Sequence, residues 1–593
     1  MKMGNSNGGC ASAWQEKISL GFHVVKGRWF TIFATSLIMS VNGSSFMFGL
    51  YSNDIKSSLG YDQTTLNLVS FFKDLGGNLG IISGLINEFT PPWILLVIGA
   101  VMNFTGYFMI WLAVTGHTAK PQVWQLCLYI WIGADSQAFA STGSLITTVK
   151  NFPESRGIVL GLFKGYIGLS GAIITQIYHA MYGSDTKSVI LLIAWLPALV
   201  SILFLPTFRI IKVARDKNEA NIFFNLLYIS LGLAGFLMVM IIFQKRVAFS
   251  RLEYGGATIC VLILLFAPLN FVVREELSQW KTKKQLLTNP SNQLQVFTEK
   301  PSSTDKPAGP VSQQELLPES ANAEAGNSPE KPFSSIIKAF KSPQRGEDFT
   351  ILQGICSIDM LLLFVATCCG MGGTLTAIDN LGQIGQSSGY SAKSITTFVS
   401  LVSIWNYLGR VSAGFSSEML LKKYNFPRPL MLTLVLLLTC IGHLLIAFAV
   451  PNSLYISSVL IGFCFGAQNP LVFAIISELF GLKYYSTLFQ IGALASPVGA
   501  YVLNVKMAGH IYDSEAIRQL AAKQLVRQAG KELTCSGEVC YRFTFIVIAA
   551  VTLFGSVVSY VLVIRTRSFY KGDVYKKFKE ESCTGEVVSE RKS

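Results

Sequence analysis

The chain has 593 residues, of which 51% are hydrophobic and 14% are charged, and its formal net charge is +14. A soluble domain usually contains about 25% charged residues, so this composition excludes a large water-exposed surface and argues against fibrous or disordered classes. The Lys and Arg residues lie between long apolar runs, which is typical of membrane loops and not of a nucleic-acid-binding face.

The apolar residues are concentrated in about fourteen runs, each near the length of about 20 residues that a helix needs to cross roughly 30 Å of hydrocarbon. We therefore predict an all-α, polytopic membrane protein. If 222–273 formed a re-entrant or interfacial hairpin, about twelve spans would remain. In chain order, the runs are 29–51, 66–86, 93–115, 122–149, 156–182, 188–206, 222–243, 254–273, 350–378, 392–417, 429–449, 454–478, 484–505 and 542–564.

Loop charges predict the orientation of these spans. An even number of spans puts both termini on one side, and the short loops of that side contain ten Lys or Arg, against six on the other. Because cytosolic loops are enriched in Lys and Arg, both termini are predicted to be cytosolic. The sequence leaves the plasma membrane and the vacuolar membrane both open. Cys535 and Cys540, in the non-cytosolic loop 506–541, either form a disulfide in an oxidising compartment or remain two free thiols.

Residues 274–347 differ in composition from the rest of the chain. They contain eight Pro, many Ser, Gln, Glu and Lys, and few aromatic residues. Such a segment buries too little apolar area to offset its chain entropy. We predict a disordered cytosolic linker.

Two parts of the chain resemble each other at an offset of 329 residues. Ser58–Tyr61 matches Ser387–Tyr390, and Gly43 matches Gly372. A duplication of this kind predicts two six-helix bundles in parallel topology with a substrate site between them. The predicted segments are an N-terminal tail (1–28), a first bundle (29–206), two extra spans (222–273), the linker (274–347), a second bundle (350–564) and a C-terminal tail (565–593).

Several short strings in both halves are specific enough to suggest a family. They are Ser70–Gly76, Asn151–Pro153 with Arg156 and Gly157, Lys164–Gly171, Ile378–Gly385, Leu408–Val411, Ser477–Gly481 and Tyr484–Thr487. On these strings the chain resembles the plant nodulin-like (nuclear-fusion-defective type) branch of the major facilitator superfamily, and more distantly the monocarboxylate and oxalate/formate porters. The resemblance covers residues 27–567 except the linker. It implies a secondary transporter that rocks two bundles about a central site.

Lys164 and Arg410 are the main candidates for substrate binding. They lie eight residues from Arg156 and Glu418 respectively, which places both roughly 12 Å inside the membrane from the same side. Two cations at equal depth favour an anionic substrate, and Arg offers a fork that suits a carboxylate. In the resembling monocarboxylate porters such an Arg contacts the substrate, and an Asp precedes it by one turn. This chain has Asn406 at that place, which cannot accept a proton. The alternative is a purely structural pair between helices.

Two further residues complete the predicted substrate-binding set. Asn42 lies beside Gly43 at a break in the first run, and Tyr166 belongs to the string that begins at Lys164. Gly43 and its repeat partner Gly372 are predicted to let their helices bend during rocking, or else only to permit close packing.

Glu88 and Glu418 occupy equivalent helix ends in the two halves and are predicted to be gate residues or structural residues. In the resembling superfamily this loop reads G-x-x-x-D-R-x-G-R-R. The second copy keeps Lys422 and Lys423, whereas Gly84–Pro92 loses the basic residues. A symmetric acid–base latch is therefore not expected in the first half.

Four more ionisable residues lie within predicted spans. An ionisable group at bilayer depth costs at least about 2.5–3.5 kcal/mol, so it is normally turned inward and partnered. We predict that Asp135 and Asp359 either carry protons or neutralise Lys164 or Lys73. The same coupling or charge-pair roles are predicted for Lys73 and Asp74, and the alternative is that each pairs with a neighbouring helix as packing.

The predicted function is secondary active transport of a small organic anion, driven by a proton gradient or by exchange. A neutral or cationic metabolite is the alternative among transporters, and a non-transporting receptor or scaffold is the alternative outside them. The sequence contains no phosphate-binding loop, nucleophile elbow or metal-ligand pattern. We therefore expect no enzyme activity, cofactor or metal, and a monomer in the lipid bilayer with a small-molecule substrate and no nucleic-acid partner.

Overall fold

The computed structural model describes most of the chain, and all regular secondary structure in the described part is helical, which confirms the all-α prediction. The described residues are 19–43, 47–61, 63–183, 185, 187–211, 219–244, 249–288, 343–390, 392–522, 535–572 and 574.

We number the helices α1 to α22 in chain order. The first half and the segment after it contain α1 (Ser19–Lys26), α2 (Arg28–Val41), α3 (Phe48–Leu59), α4 (Gln63–Asn78), α5 (Ile81–Phe89), α6 (Pro92–Thr115), α7 (Val123–Ser141), α8 (Thr147–Asn151), α9 (Arg156–Tyr182), α10 (Lys187–Leu203), α11 (Glu219–Gln244) and α12 (Arg251–Thr288). The second half contains α13 (Ile351–Ile355), α14 (Ile358–Asp379), α15 (Leu381–Ser387), α16 (Ala392–Tyr424), α17 (Arg428–Ala447), α18 (Ser453–Leu479), α19 (Tyr485–Ala493), α20 (Ala495–Ala500), α21 (Gly509–Ala522) and α22 (Val539–Lys571).

Nine helices of the described part are long and apolar enough to cross a membrane, or ten if α1 and α2, which meet at 63°, form one span. Other predicted spans are broken helices. The run 66–86 is divided between α4 and α5 near Gly80, where a Cβ would lie 2.5 Å from the Gln490 side chain. The run 122–149 passes through a π-helical turn at Thr142–Ile146. The membrane-spanning helical fold is thus confirmed, and the count of about fourteen spans stays a prediction.

The two extra helices, α11 and α12, run between the two faces of the helical array. At one face, Glu219 of α11 accepts a hydrogen bond from Ser155 (2.5 Å), and Glu276 of α12 accepts one from a backbone N–H at the start of α2 (2.9 Å). At the other face, Gln244 and Gln176 exchange two amide hydrogen bonds of 2.8 and 3.2 Å. These contacts favour two full crossings over a re-entrant hairpin.

The predicted disordered linker begins later than its composition indicated. α12 continues to Thr288, so residues 274–288 are helical. The physical reason is the anchoring of Glu276 against α2, which extends the packed part of α12 past its apolar run. Residues 289–342 of the predicted linker lie outside the described residues, as do 1–18 and 575–593 of the two predicted tails. Residues 343–347 are described, and there the backbone N–H of Gly346 donates to the carbonyl of Leu479 (3.1 Å), so the linker also ends earlier than predicted.

The array has two faces that we name by their residues. The basic face carries Lys150, Arg156 and Arg428, and the opposite face carries the Cys535–Cys540 disulfide. α22 connects the two, because it begins beside the disulfide and its last turn contains Tyr570, which donates a hydrogen bond to a buried carboxylate at the basic face. The first half packs α2, α6, α7, α9 and α10 together, the second half packs α14, α16, α17, α18 and α22, and the two halves meet along α9 and α16.

Candidate functional site

Arg410 and Lys164 lie side by side where α16 of the second half crosses α9 of the first. The helices approach closely because a glycine of each faces the other: a Cβ on Gly161 would lie 2.8 Å from the Cα of Gly414. Without side chains at these positions, the two backbones come into direct contact. The crossing therefore brings two intramembrane cations from different halves into one place.

The Arg410 guanidinium is buried, at 5% exposure, and is held by two hydrogen bonds. Its Nε donates to Oδ1 of Asn406 (2.9 Å), one turn earlier on α16, and its Nη1 donates to the backbone carbonyl of Lys164 (2.7 Å). The second bond crosses from one half to the other. Arg410 is thus oriented at the interface, and its Nη2 has no hydrogen-bond partner among the described residues.

The Lys164 ammonium lies over two aromatic rings of the second half. Its Nζ is 4.7 Å from the ring centroid of Phe473 and 5.0 Å from that of Phe489. The two rings stack with centroids 3.9 Å apart. A cation–π contact contributes about 0.5–2 kcal/mol, but it leaves the three N–H donors of an ammonium available.

Neither cation forms an ion pair with a carboxylate in the part of the chain that the structure describes. Burying a charge without an opposite charge costs free energy, which an anion bound beside Arg410 and Lys164 would offset. A guanidinium and an ammonium are both groups that bind carboxylates. Among the described residues, no group of three or more His, Cys, Asp or Glu side chains is placed to hold a metal ion.

The other two predicted substrate ligands have different surroundings. Asn42 donates hydrogen bonds to the carbonyl of Gln137 (3.0 Å) and to Oγ of Ser141 (2.9 Å), and so links α2 to α7 within the first half. Tyr166 is buried in the hydrophobic core. It lies two residues beyond Lys164, about 200° around α9, so its side chain points away from the side that carries the ammonium.

Lys73 and Asp74 pair with each other, with Nζ and Oδ1 3.0 Å apart, and the Lys73 ammonium also lies over the Phe48 ring of α3, 5.0 Å from its centroid. They lie on α4, in the half of the second run that is nearer the opposite face, and the Asp74 carboxylate is 65% exposed. Across the interface, Asp379 at the end of α14 interacts electrostatically with both residues and accepts a hydrogen bond from Asn504 (3.0 Å). This cluster is separate from the Arg410 contact.

Asp135 and Asp359 differ sharply in their partners. Asp135 of α7 is 3% exposed, its Oδ1 has no hydrogen-bond partner, and it forms no ion pair within the described ranges. Asp359 lies in the first turn of α14, where its two oxygens accept hydrogen bonds from Nε of Arg345 and of Arg565, each at 2.7 Å. The predicted pairing of these acids with Lys164 or Lys73 is therefore not present.

Glu88 and Glu418 join the two halves at the basic face. Oε1 of Glu88 accepts a hydrogen bond from the backbone N–H of Thr487 (3.2 Å), in the first turn of α19. Oε2 of Glu418 accepts one from the backbone N–H of Gly157 (3.1 Å), in the first turn of α9. Each carboxylate thus binds the N-terminus of a helix in the other half, where free N–H groups and the helix dipole favour an anion.

The basic partners of these two acids come from different elements. Glu418 pairs with Arg428 (2.6 Å) and Lys422 (3.2 Å) of its own half. Glu88 pairs with Lys150 of α8 at 3.9 Å. The first half therefore has an acid–base pair as well, but its cation is supplied by α8 and not by the loop next to Glu88.

Sequence reasoning missed two buried arginines at this face. Arg428 is fully buried and donates through Nε to Glu478 and through Nη2 to Glu418, both at 2.6 Å. Arg156, also fully buried, donates from Nη1 to the carbonyl of Ser477 in the other half (2.7 Å). Arg156 and Ser477 both belong to strings that the sequence marked as specific, which was the available signal.

Gly43 and Gly372 both stand at close contacts between helices. A Cβ on Gly43 would collide with the Ser170 hydroxyl of α9, and one on Gly372 would lie 2.5 Å from the backbone of Gly499. Both glycines therefore permit close packing, and a role in bending stays a prediction.

Two family models match the chain. The model "Nodulin-like" matches residues 28–273, and the model "NFD4, C-terminal domain" matches residues 347–572. The first match contains Lys164 and Glu88, and the second contains Arg410 and Glu418. These matches confirm the resemblance that the sequence strings indicated.

Known proteins are similar to most of the chain or to a part of it. Protein NUCLEAR FUSION DEFECTIVE 4 of Arabidopsis thaliana is 24% identical over 92% of this chain and 89% of its own length. Probable transporter MCH1 of Yarrowia lipolytica is 29% identical over 26% of this chain and 31% of its own length. A solved structure of a double-tryptophan mutant of XylE aligns with a TM-score of 0.50 and 13% identity, over 90% of this chain and 95% of that one. XylE is a proton:xylose symporter of the major facilitator superfamily, and at this identity the likeness concerns the fold alone.

Proposed function

We propose that this chain, which matches the Nodulin-like model over 28–273 and the NFD4 C-terminal model over 347–572, is a secondary transporter of the major facilitator superfamily that carries a small organic anion by alternating access. The observation that carries the proposal is that the Arg410 guanidinium reaches the backbone carbonyl of Lys164, which brings two cations from different halves to the same helix crossing. Neither cation has a carboxylate partner among the described residues. A solute bound there would touch both halves at once. Its binding energy would then favour the conformation in which both halves surround it.

The chemistry of the pair supports a carboxylate attached to a small carbon skeleton. Arg410 offers Nη2, and the Lys164 ammonium offers three donors, which together match the lone pairs of a carboxylate. The stacked rings of Phe473 and Phe489 lie directly under the ammonium and provide an apolar wall. An apolar wall suits carbon atoms better than it suits a small inorganic anion.

Asp135 supports coupling to a proton gradient. Its carboxyl group is buried in the first half with one oxygen that has no hydrogen-bond partner. A neutral carboxyl group is less costly than a carboxylate in such surroundings, so uptake and release of a proton would accompany changes in its hydration. Asn406 cannot carry a proton, so the proton site would be distinct from the substrate site. Exchange of one anion for another is the second form of the proposal.

We propose that the basic face is cytosolic. Lys and Arg are enriched in the loops of that side, which is the usual bias of cytosolic loops. The Cys535–Cys540 disulfide lies at the opposite face, and disulfides persist in oxidising compartments. The plasma membrane and the vacuolar membrane both fit this orientation.

Uptake by the purified protein in liposomes tests the proposal. Labelled mono- and dicarboxylates are compared with sugars and amines, with and without an imposed pH gradient. Arg410→Gln and Lys164→Gln each remove a charge-assisted hydrogen-bond donor, a loss of about 1.5–3 kcal/mol that corresponds to about tenfold or more in uptake at low substrate concentration.

Arg518→Gln is the matched control, because Arg518 is an exposed cation whose ion-pair partner among the described residues is Glu515, on the same helix α21. It is expected to transport at the wild-type rate. Wild-type anion uptake by both Arg410→Gln and Lys164→Gln would refute the anion assignment, as would uptake of neutral or cationic solutes alone.

A further inference from the structure

A second polar site lies at the basic face, with residues different from those around Arg410 and Lys164. It is a cavity of about 640 Å³ between the start of α14, the end of α22 and the segment 343–345. Three charged residues line it, namely Arg345, Asp359 and Arg565. Two cations and one anion give its wall a formal charge of +1.

One carboxylate holds both guanidinium groups in place. Asp359 accepts a hydrogen bond from Nε of Arg345 and another from Nε of Arg565, each at 2.7 Å. The side chains of the two arginines are 29% and 38% exposed, so they remain accessible. Their terminal Nη nitrogens have no hydrogen-bond partner in the part of the chain that the structure describes. The arrangement leaves two preoriented guanidinium groups ready to bind a second anion.

Hydroxyl groups add donors to the same wall. Ser357 accepts a hydrogen bond from the backbone N–H of Met360 (3.0 Å) at the start of α14, so its own hydroxyl proton is available to a ligand. Ser568 lines the cavity from α22, three residues after Arg565. A tetrahedral oxyanion with several acceptor oxygens fits this set of donors better than a planar monoanion does.

The cavity borders the lipid-facing surface. Ile358 lines the cavity, and Leu361 and Ile564 lie close in sequence to residues that line it. All three are large, apolar and exposed. Both α14 and α22 are candidate membrane spans. The site therefore lies where the apolar part of these helices ends and where lipid headgroups would be found, and basic pockets at this level are suited to anionic headgroups.

We propose that this cavity binds a phosphate group, carried either by the headgroup of an anionic lipid or by a free phosphate. The proposal does not depend on the transport function, because none of its residues touches Arg410 or Lys164. A ligand bound there would hold the segment 343–345 against the two helices α14 and α22.

Lipid binding to the purified full-length chain in detergent, followed by native mass spectrometry, tests the proposal. Phosphatidic acid is compared with zwitterionic phosphatidylcholine. Arg565→Gln is expected to weaken phosphatidic acid binding about tenfold, since it removes a charge-assisted contact. Arg567→Gln is the matched control, because Arg567 is exposed on the same helix and does not line the cavity.

A second variant keeps the test decisive if Arg565→Gln does not fold. Ser568→Asp adds a negative charge at an exposed position of the cavity wall and leaves both arginines in place. It is expected to weaken phosphatidic acid binding about tenfold, whereas Ser568→Asn is expected to retain it.

The source of the phosphate is decided by competition. If millimolar inorganic phosphate displaces phosphatidic acid, free phosphate is a ligand, and if it does not, the lipid headgroup is the ligand. Equal binding of phosphatidic acid and phosphatidylcholine would overturn the proposal. The proposal would also be overturned if phosphatidic acid bound Ser568→Asp as tightly as it binds Arg567→Gln, and if the same held for Arg565→Gln wherever that variant folds.

Discussion

The substitution Glu418→Gln removes the charge that joins the end of α16 to the start of α9. Glu418 is 1% exposed, and its Oε2 accepts the backbone N–H of Gly157 at 3.1 Å. A carboxylate at a helix N-terminus contributes about 0.3–1 kcal/mol at a surface and up to about 2 kcal/mol when partly buried. The contact exists only when the two halves meet at the basic face, which is the closed conformation of that face. If it contributes about 1–2 kcal/mol, its loss lowers the ratio of closed to open molecules by a factor of about 5–30.

Pulsed electron paramagnetic resonance in lipid nanodiscs measures this ratio. Spin labels are attached to cysteines substituted for Phe89 and Lys483, exposed residues of different halves at the basic face, in a background without other reactive cysteines. The unsubstituted background is expected to show a dominant short distance. Glu418→Gln and Glu88→Gln are both expected to add a longer distance, because Glu88 makes the equivalent contact with Thr487.

Comparison of the two variants separates the interface from local stability. Glu418→Gln also weakens the ion pair with Arg428, whereas Glu88→Gln leaves that pair intact. Glu515→Gln is the control, since Glu515 pairs with Arg518 on α21, away from the basic face. If both test variants give the same distance distribution as Glu515→Gln, the assignment of these carboxylates to closure of the basic face is refuted.

Three further outcomes are expected. Arg428→Met removes the buried cation that Glu418 and Glu478 share, while Glu418 keeps its ion pair with Lys422. It is expected to lower the free energy of unfolding by about 3–5 kcal/mol, which thermal unfolding in detergent will measure; an unchanged midpoint would contradict the burial argument. Gly414→Leu adds a side chain whose Cβ would lie 2.6 Å from the Cα of Gly161. Uptake is expected to disappear while size-exclusion chromatography still shows folded protein, and normal uptake would argue against this helix crossing. Asp135→Asn is expected to abolish stimulation of uptake by a pH gradient and to preserve exchange in liposomes; stimulation at the wild-type level would exclude Asp135 as the proton carrier.

The sequence was sufficient for the membrane-spanning helical fold. Whether a segment forms a helix in lipid depends on its own hydrophobicity, because a helix satisfies its backbone hydrogen bonds internally. The predicted runs 350–378 and 429–449 therefore correspond to α14 and α17, which begin at Ile358 and Arg428. Depth along a helix is also local, since it follows from counting residues. This is why the sequence could place Lys164 and Arg410 at the same level.

Partner choice was decided only by the tertiary structure. The hydrogen bond between Arg410 and Lys164 joins positions 246 residues apart, and whether the two meet depends on the crossing of α9 and α16. Helix rotation and crossing likewise put Phe473 and Phe489 under the ammonium and Lys150 beside Glu88. A charge in a span shows that a partner is needed, but its nature depends on which faces of distant helices turn toward each other.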